Sequence, residues 1–183
     1  MSARPLRADA RLNHDLLLEA AARAFARDGS EASLKAIAKD AGVGIGTLYR
    51  RFPTREQLVE ATYRSEVARL CAAAPELLET LSPTAALRAW MDRFVDFMAT
   101  KHAMGDALRT VLVSETDRME TRALLADALA SLMRAGIAEG TVRADLDPMD
   151  VLMGLGGVTL IAGEPDQRDL AGRLLDLLMA GLR

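Results

Sequence analysis

Between Ser33 and Phe52 the chain reads SLKAIAKDAGVGIGTLYRRF, and here residue types and spacing carry chemistry. With Leu48 in the core between two short helices, the exposed side of the second offers Ile45, Gly46, Thr47, Tyr49 and Arg50. That face offers a hydroxyl, a phenol, a guanidinium fork and a patch of apolar surface. The N-terminus of such a helix, the second of a close pair, can enter a DNA major groove. Gly44 and Gly46 are poor helix formers, each costing about 1 kcal/mol against Ala in a helix interior. Their use in so short a helix makes sense if a backbone must approach something closely. Ala38 is small where the two helices cross, and Gly42 can adopt the positive φ of a tight turn. Ile37, Val43 and Leu48 fill the core between the helices. Spacing alone also admits a plainer reading, a helix–turn–helix corner inside a bundle.

Catalytic chemistry is poorly served elsewhere. Cys71 is the only cysteine, and the two histidines, His14 and His102, are far from it in sequence. A Cys–His nucleophile pair would need distant contact. Asp92/Asp96 and Asp145/Asp147/Asp150 read as solvated faces and helix caps. Gly42, Gly44 and Gly46 follow a helix and lack the strand that a phosphate-binding loop requires. No cluster of His and Cys has metal-ligand spacing. The expectation is a non-enzyme with no cofactor and no metal.

The elements that must position the Ser33–Phe52 face are all helical, because apolar residues recur at three- and four-residue spacing along the chain. The spacing predicts a helix over Asn13–Arg27, lined by Leu17, Ala21, Ala24 and Phe25 and stopped by Gly29. Short helices follow over Ser33–Ala41, with Ser33 as N-cap, and from Gly44 or Ile45 to Phe52, closed by Pro53. Thr54 caps a longer helix to about Ala74, with Glu56 and Gln57 in its first turn and Pro75 as its break or kink. Ser82-Pro83 opens a helix to about His102. Gly105–Ser114, Arg118–Glu139, Asp147–Ala162 and Asp166–Leu182 complete about nine helices. The fold class expected is all-α. A head of three helices at residues 1–53 carries the helix-turn-helix, and a larger helical domain follows at 54–183.

Composition agrees with a globular protein. The chain has 183 residues, half of them hydrophobic and 27% charged, with a formal charge of −3. That balance excludes a disordered chain. One cysteine excludes a disulfide framework within the chain. No apolar run reaches the ~18–20 residues that span a bilayer. Met1–Arg11 has arginines but no apolar segment behind them, as a signal peptide would need, so the expected compartment is the cytoplasm. Residues 1–55 carry 10 Lys and Arg against 6 Asp and Glu, whereas 56–183 carry 13 against 20. A basic front fits nucleic acid, although a solvated surface accounts for it equally well.

The run GVGIGTLYRRFPTREQL, Gly42–Leu58, resembles the signature of TetR-type transcriptional regulators. Ala20, Ala21, Phe25 and Gly29 upstream, and Ile37-Ala38 leading into Ala41-Gly42-Val43, match it too. The resemblance covers about residues 12–60. It implies a homodimer that binds a palindromic operator in double-stranded DNA and represses transcription until a small molecule releases it. It implies roles as well. Ser33 stands where the family usually has Thr and would donate to a phosphate; Lys35 would reach a phosphate or a base edge. Gly44 replaces a frequent Ser, removing one hydroxyl contact. Ile45, Gly46 and Thr47 would face the groove, and Tyr49 would bond or pack on the DNA backbone. Arg50 would read guanine through O6 and N7. Arg55, at the family's basic position opening the fourth helix, would pair with phosphate. The Gly29–Ile37 segment is one residue shorter than in many members. Lys39 and Arg51 read as solvated charges. Arg4, Arg7 and Arg11 are either a nonspecific DNA contact or a disordered arm, with disorder favoured.

Two further jobs fall to the rest of the chain. In the family the last two helices form a four-helix bundle with the partner. That assigns dimerisation to Leu152, Gly156, Leu160, Leu170, Leu174, Leu177 and Leu178, with Gly154, Gly157 and Gly163 permitting close approach. From the residues alone, the leucine face packs equally well on its own subunit. A ligand pocket between helices would draw on Trp90, Phe94, Phe97, Met98, His102, Met104, Leu108, Leu112, Leu129, Met133 and Met153, with Met119 and Leu125 on the same stripes. Plain core packing is the competing account of each, and for His102 it is an exposed helix end. Few polar residues interrupt these stripes, so the effector expected is mostly apolar. A helical adaptor that touches proteins rather than DNA is the alternative function. The basic run Tyr49-Arg50-Arg51 with Arg55 argues against it.

Overall fold

Helical periodicity becomes nine α-helices and no strand among the described residues. In the computed structural model these are residues 4–111, 115–162 and 165–183, with side chains described for 12–105, 107–109, 111, 116–162 and 166–183. The helices are α1 (Arg4–Asp28), α2 (Leu34–Asp40), α3 (Ile45–Arg51), α4 (Arg55–Thr80), α5 (Pro83–Ala103), α6 (Gly105–Val111), α7 (Glu115–Ala138), α8 (Pro148–Ala162) and α9 (Arg168–Gly181). Contacts divide the chain into two compact units. One comprises residues Met1–Glu66 and Thr100–Val113, the other Val67–Ala99 and Ser114–Arg183.

The first unit packs α1, α2, α3, the opening turns of α4, the last turn of α5, and α6. Leu17, Ala21 and Phe25 of α1 are fully buried, as are Ile37, Leu48, Leu58 and Met104. Burying each large side chain contributes about 1.5–3 kcal/mol. Ser33 caps α2, its Oγ accepting from the Ala36 amide at 3.4 Å. Gly42 takes φ +70°, which turns the chain between α2 and α3. The Arg4–Arg11 stretch, expected as a disordered arm, instead extends α1 backward by nine residues. Its Ala, Leu and Arg are good helix formers, and Pro5 lies in the first turn, where no helical donor is lost. The Arg4, Arg7 and Arg11 side chains lie outside the described ones.

The second unit is built from the remainder of α4 and α5 with α7, α8 and α9. Trp90 is fully buried, and its Nε1–H donates to the Leu70 carbonyl at 2.8 Å. The expected break at Pro75 does not occur, since α4 continues to Thr80. Proline there removes one backbone bond and crowds the preceding turn, a cost of about 3 kcal/mol. Burial of Leu70, Ala73, Ala74 and Leu77 around it offsets that cost. At the end of α7, Gly136 accommodates the returning chain: a Cβ there would stand 2.5 Å from Val142 Cγ2. Asp147 caps α8, its Oδ1 accepting from the Met149 amide at 2.7 Å. The inner faces of α8 (Val151, Leu152, Leu155) and α9 (Ala171, Leu175, Met179) are buried.

Candidate nucleic-acid interface

Helices α2 and α3 present the expected face. Leu48 is buried and anchors α3, while Ile45 and Tyr49 stand 40% and 50% exposed beside exposed Gly44, Gly46 and Arg50. Thr47 is half-buried. Gly44 is the N-cap of α3, and its carbonyl accepts from the amides of Thr47 at 2.8 Å and Leu48 at 3.2 Å. A Cβ on Gly44 or Gly46 would meet nothing within 4 Å. The glycines therefore leave open space, and no close approach within the chain requires them. Arg50 Nη2 donates to Thr47 Oγ1 at 3.1 Å. Three-residue spacing brings the two together on one face, and the bond restrains the planar fork of an exposed side chain. Thr47 accepts in this bond, so its hydroxyl proton stays available. Ser33 is exposed; its oxygen serves as the cap while its O–H can donate. Lys35 is exposed on the first turn of α2.

Arg55 differs from the phosphate-pairing expectation in its surroundings. It is half-buried, and Nη2 donates to the Ser30 carbonyl and, at 2.7 Å, to the Ala32 carbonyl. Its guanidinium carbon lies 5.7 Å from the centre of the Phe25 ring. Arg55 thus ties the 3₁₀ turn Gly29–Glu31, which leads into α2, to the start of α4 and to the α1 core. Thr54 caps α4, accepting from the Gln57 amide at 3.3 Å. The Glu56 carboxyl is held below the usual carboxylate range by its own backbone amide, then by the Thr54 hydroxyl.

Arg51, expected to be a solvated charge, is exposed but engaged. Its Nε donates to His14 Nδ1 of α1 at 3.1 Å. The imidazole stacks on Phe52, with ring centres 5.5 Å apart. Burial and then the Arg51 guanidinium push the His14 pKa below its ordinary value, against the weaker pull of Asp15. Because Arg51 Nε is the donor, His14 Nδ1 accepts in this bond through its lone pair, as a neutral ring does. Its signal in the sequence was faint: it extends the Leu18–Ala21–Phe25 stripe backward by one turn.

The residues assigned to a ligand divide between the units. Trp90, Phe94, Phe97, Leu129 and Met133 are buried in the second, where Trp90 stacks on Phe94 at 5.9 Å and Phe94 meets Phe97 at 6.2 Å. Met104 and Leu108 are buried in the first. Met98 is half-buried, His102 is exposed, and Leu112 lies outside the described residues, as does Gly163. Met153 was assigned to the ligand pocket and Leu152 to the dimer face. Met153 is exposed and Leu152 is buried within its own protomer. Leu160 (79% exposed) and Ile161 share the outer side of α8 with Met153, and Leu177 (70% exposed) stands out from α9. Leu170, Leu174 and Leu177 line a shallow groove with Arg173 and Asp176. Gly156 and Leu178 are half-buried. Among the described residues no helix is long and apolar enough to cross a membrane.

Residues 17–62 match the family described as bacterial regulatory proteins, tetR family, and residues 82–183 match the SbtR-like transcriptional regulator C-terminal domain. The chain belongs to the TetR family. It is a DNA-binding transcriptional regulator with an N-terminal helix-turn-helix and the C-terminal domain of that family. It is 30% identical over 141 residues to the HTH-type transcriptional repressor KstR2 of Mycolicibacterium smegmatis, covering 73% of this chain and 69% of that protein. A TetR transcriptional regulator from Streptomyces coelicolor is 50% identical, with a TM-score of 0.86 over 92% of this chain and 97% of its own. A TetR regulatory protein from Mycobacterium vanbaalenii is 33% identical, with a TM-score of 0.78 over 98% and 99%. Within this TetR-family chain, α3 occupies the place of the recognition helix.

Proposed function

We propose that this TetR-family regulator is a cytoplasmic homodimeric repressor that binds a palindromic operator and is released by a small, mostly apolar ligand. DNA reading falls to residues 1–53, and ligand binding and dimerisation to 54–183. The observation that carries the reading is the outward face of α3. A capped, core-anchored helix presents Ile45, Gly46, Thr47, Tyr49 and Arg50 with open space above its two glycines. Arg50, braced by Thr47, is the reader of a guanine. Ser33, Lys35 and Tyr49 contact the DNA backbone, with Gly44 and Ile45 close to the groove. Arg55 supports them by fixing the turn before α2, with its remaining N–H groups directed to phosphate. The outer side of α8 and α9, centred on Leu160, Leu170, Leu174 and Leu177 and flanked by Gly156 and Leu178, meets its copy in the partner. A single helix-turn-helix makes too few contacts for specificity, and a two-fold dimer reads two half-sites.

Release requires a ligand that binds better to a conformation with wrongly spaced recognition helices. The apolar character of Trp90, Phe94, Phe97, Leu129 and Met133 supports an apolar effector. The test is fluorescence anisotropy with duplex DNA from upstream of the protein's own gene, against a scrambled duplex and across a salt series. Tight binding that favours the native duplex, with log affinity falling linearly in log salt, is the expected result. Equal weak binding to both would overturn sequence-specific reading at that site. Effector titrations in the same assay that respond only to highly polar compounds would overturn the apolar ligand.

A further inference from the structure

The last residue of the recognition helix has a partner that leaves its charge intact. Arg23, Arg27, Arg64 and Arg143 are each paired with a carboxylate, from Asp40, Asp28, Glu60 and Asp145 respectively. Arg51 is bonded instead to the ring nitrogen of a histidine. An ion pair offsets a guanidinium's charge, whereas a neutral imidazole orients it without doing so. Nε is the nitrogen engaged, so the Nη1 and Nη2 edge carries four N–H donors that meet no acceptor among the described residues. Arg51 is exposed and lies six residues beyond Ile45, at the C-terminal end of the helix whose N-terminal half faces the groove. An arginine with its donor edge open beside a groove-reading helix suits a phosphate.

The imidazole is itself held. His14 projects from α1, is half-buried, and lies against the Phe52 ring with an interplanar angle of 25°. Stacking fixes the ring plane, and the ring plane fixes the direction in which Nδ1 accepts. Protonation would convert Nδ1 into a donor and end the bond. Burial and the adjoining guanidinium both oppose that protonation, while Asp15 on α1 favours it less strongly.

We infer that Arg51 contacts a DNA backbone phosphate and that His14 is the positioning residue that aims it. This rests on the DNA-binding reading above and adds a contact to it. The contact is independent of base sequence, because a phosphate carries no base identity. Each protomer then neutralises one more phosphate than the residues read from the sequence would.

The test is the salt dependence of binding for the full-length protein, measured on the upstream duplex and on a scrambled duplex at low salt. Arg51→Ala should lower the slope of log affinity against log salt by about 0.9 for each protomer on the DNA. It should weaken both duplexes by the same factor. His14→Phe, which retains the stack on Phe52 but has no acceptor, should weaken both duplexes alike. His14→Gln, which restores an acceptor oxygen, should recover binding in part. In an Arg51→Ala background, His14→Phe should cause no further loss. A full slope in Arg51→Ala overturns the phosphate contact. An equal loss from His14→Phe with and without Arg51 overturns the positioning role. Thermal unfolding of each variant by circular dichroism identifies any loss caused by misfolding, and Arg51→Gln serves as a second exposed-site variant. Wild-type protein that binds neither duplex refutes the DNA-binding reading itself. Wild-type binding with an unaltered Arg51→Ala slope refutes this inference alone.

Discussion

Leu177→Ala tests the dimer face where its magnitude can be worked from exposure. Fully burying a leucine side chain contributes about 1.5–3 kcal/mol. Leu177 is 70% exposed in the protomer, so covering it supplies most of that amount. Truncation to alanine leaves the Cβ and removes about 1–2 kcal/mol per protomer. Two-fold symmetry doubles the effect. The dimer should therefore weaken by about 2–4 kcal/mol, or about 30- to 1,000-fold in Kd. The assay is sedimentation equilibrium over a protein concentration series. Because Leu177 is exposed, protomer stability in chemical denaturation should change by no more than about 0.5 kcal/mol. Operator affinity should fall with the dimer and recover at high protein concentration. An unchanged dimer Kd would refute the placement of the interface on the outer side of α9. A monomeric wild type would refute the dimer.

Arg50→Ala should cost about 1–3 kcal/mol in operator affinity and relax preference at one base pair in each half-site, as read by a panel of single-substitution duplexes. Arg55→Ala should destabilise the protein by about 1–3 kcal/mol in urea, since two backbone carbonyls lose a charged donor, and should weaken all DNA sequences together. His14 adds a pH dependence of stability. Its folded pKa lies below the ordinary 6.5, so on acidification the unfolded chain takes up the proton first. Stability should hold above pH 6.5 and decline as pH falls below it. His14→Gln should remove that component from a pH series of denaturation curves.

The helix-turn-helix was legible because its determinants are local. Ser33 caps three residues ahead, Gly42 supplies one turn, and Ile37, Ala38 and Leu48 obey helical spacing. The family signature at Gly42–Leu58 rests on the same segment. Contacts between distant residues were not legible. Arg55 reaches the carbonyls of Ser30 and Ala32, and Arg51 reaches His14 across 37 positions; no periodicity encodes a side chain's distant partner. Pro75 misled because the propensity cost of proline is local, while the burial that offsets it comes from tertiary packing. On α8, nearly every residue is apolar or glycine, so the pattern does not fix the helix phase. The burial of Leu152 within the protomer and the exposure of Met153 were therefore not legible in it.

The division of contacts also bears on how such a protein can be taken apart and recombined. The unit that contains α2 and α3 is discontinuous in the chain, since it needs Thr100–Val113 as well as the residues up to Glu66. Met104 and Leu108 are buried there, and the Ala103 carbonyl lies 3.2 Å from where a Cβ on Gly29 would be. A fragment that stops after the first turns of α4 would expose apolar surface and lose that support. A chimeric regulator with an exchanged DNA-binding head would therefore need two splice points, the second bringing the α5–α6 corner of the same parent. Recombination at a single crossover would join a head to a corner it had not evolved with. Such a regulator's DNA specificity and its effector response are thus less freely interchangeable than the order of its motifs along the chain suggests.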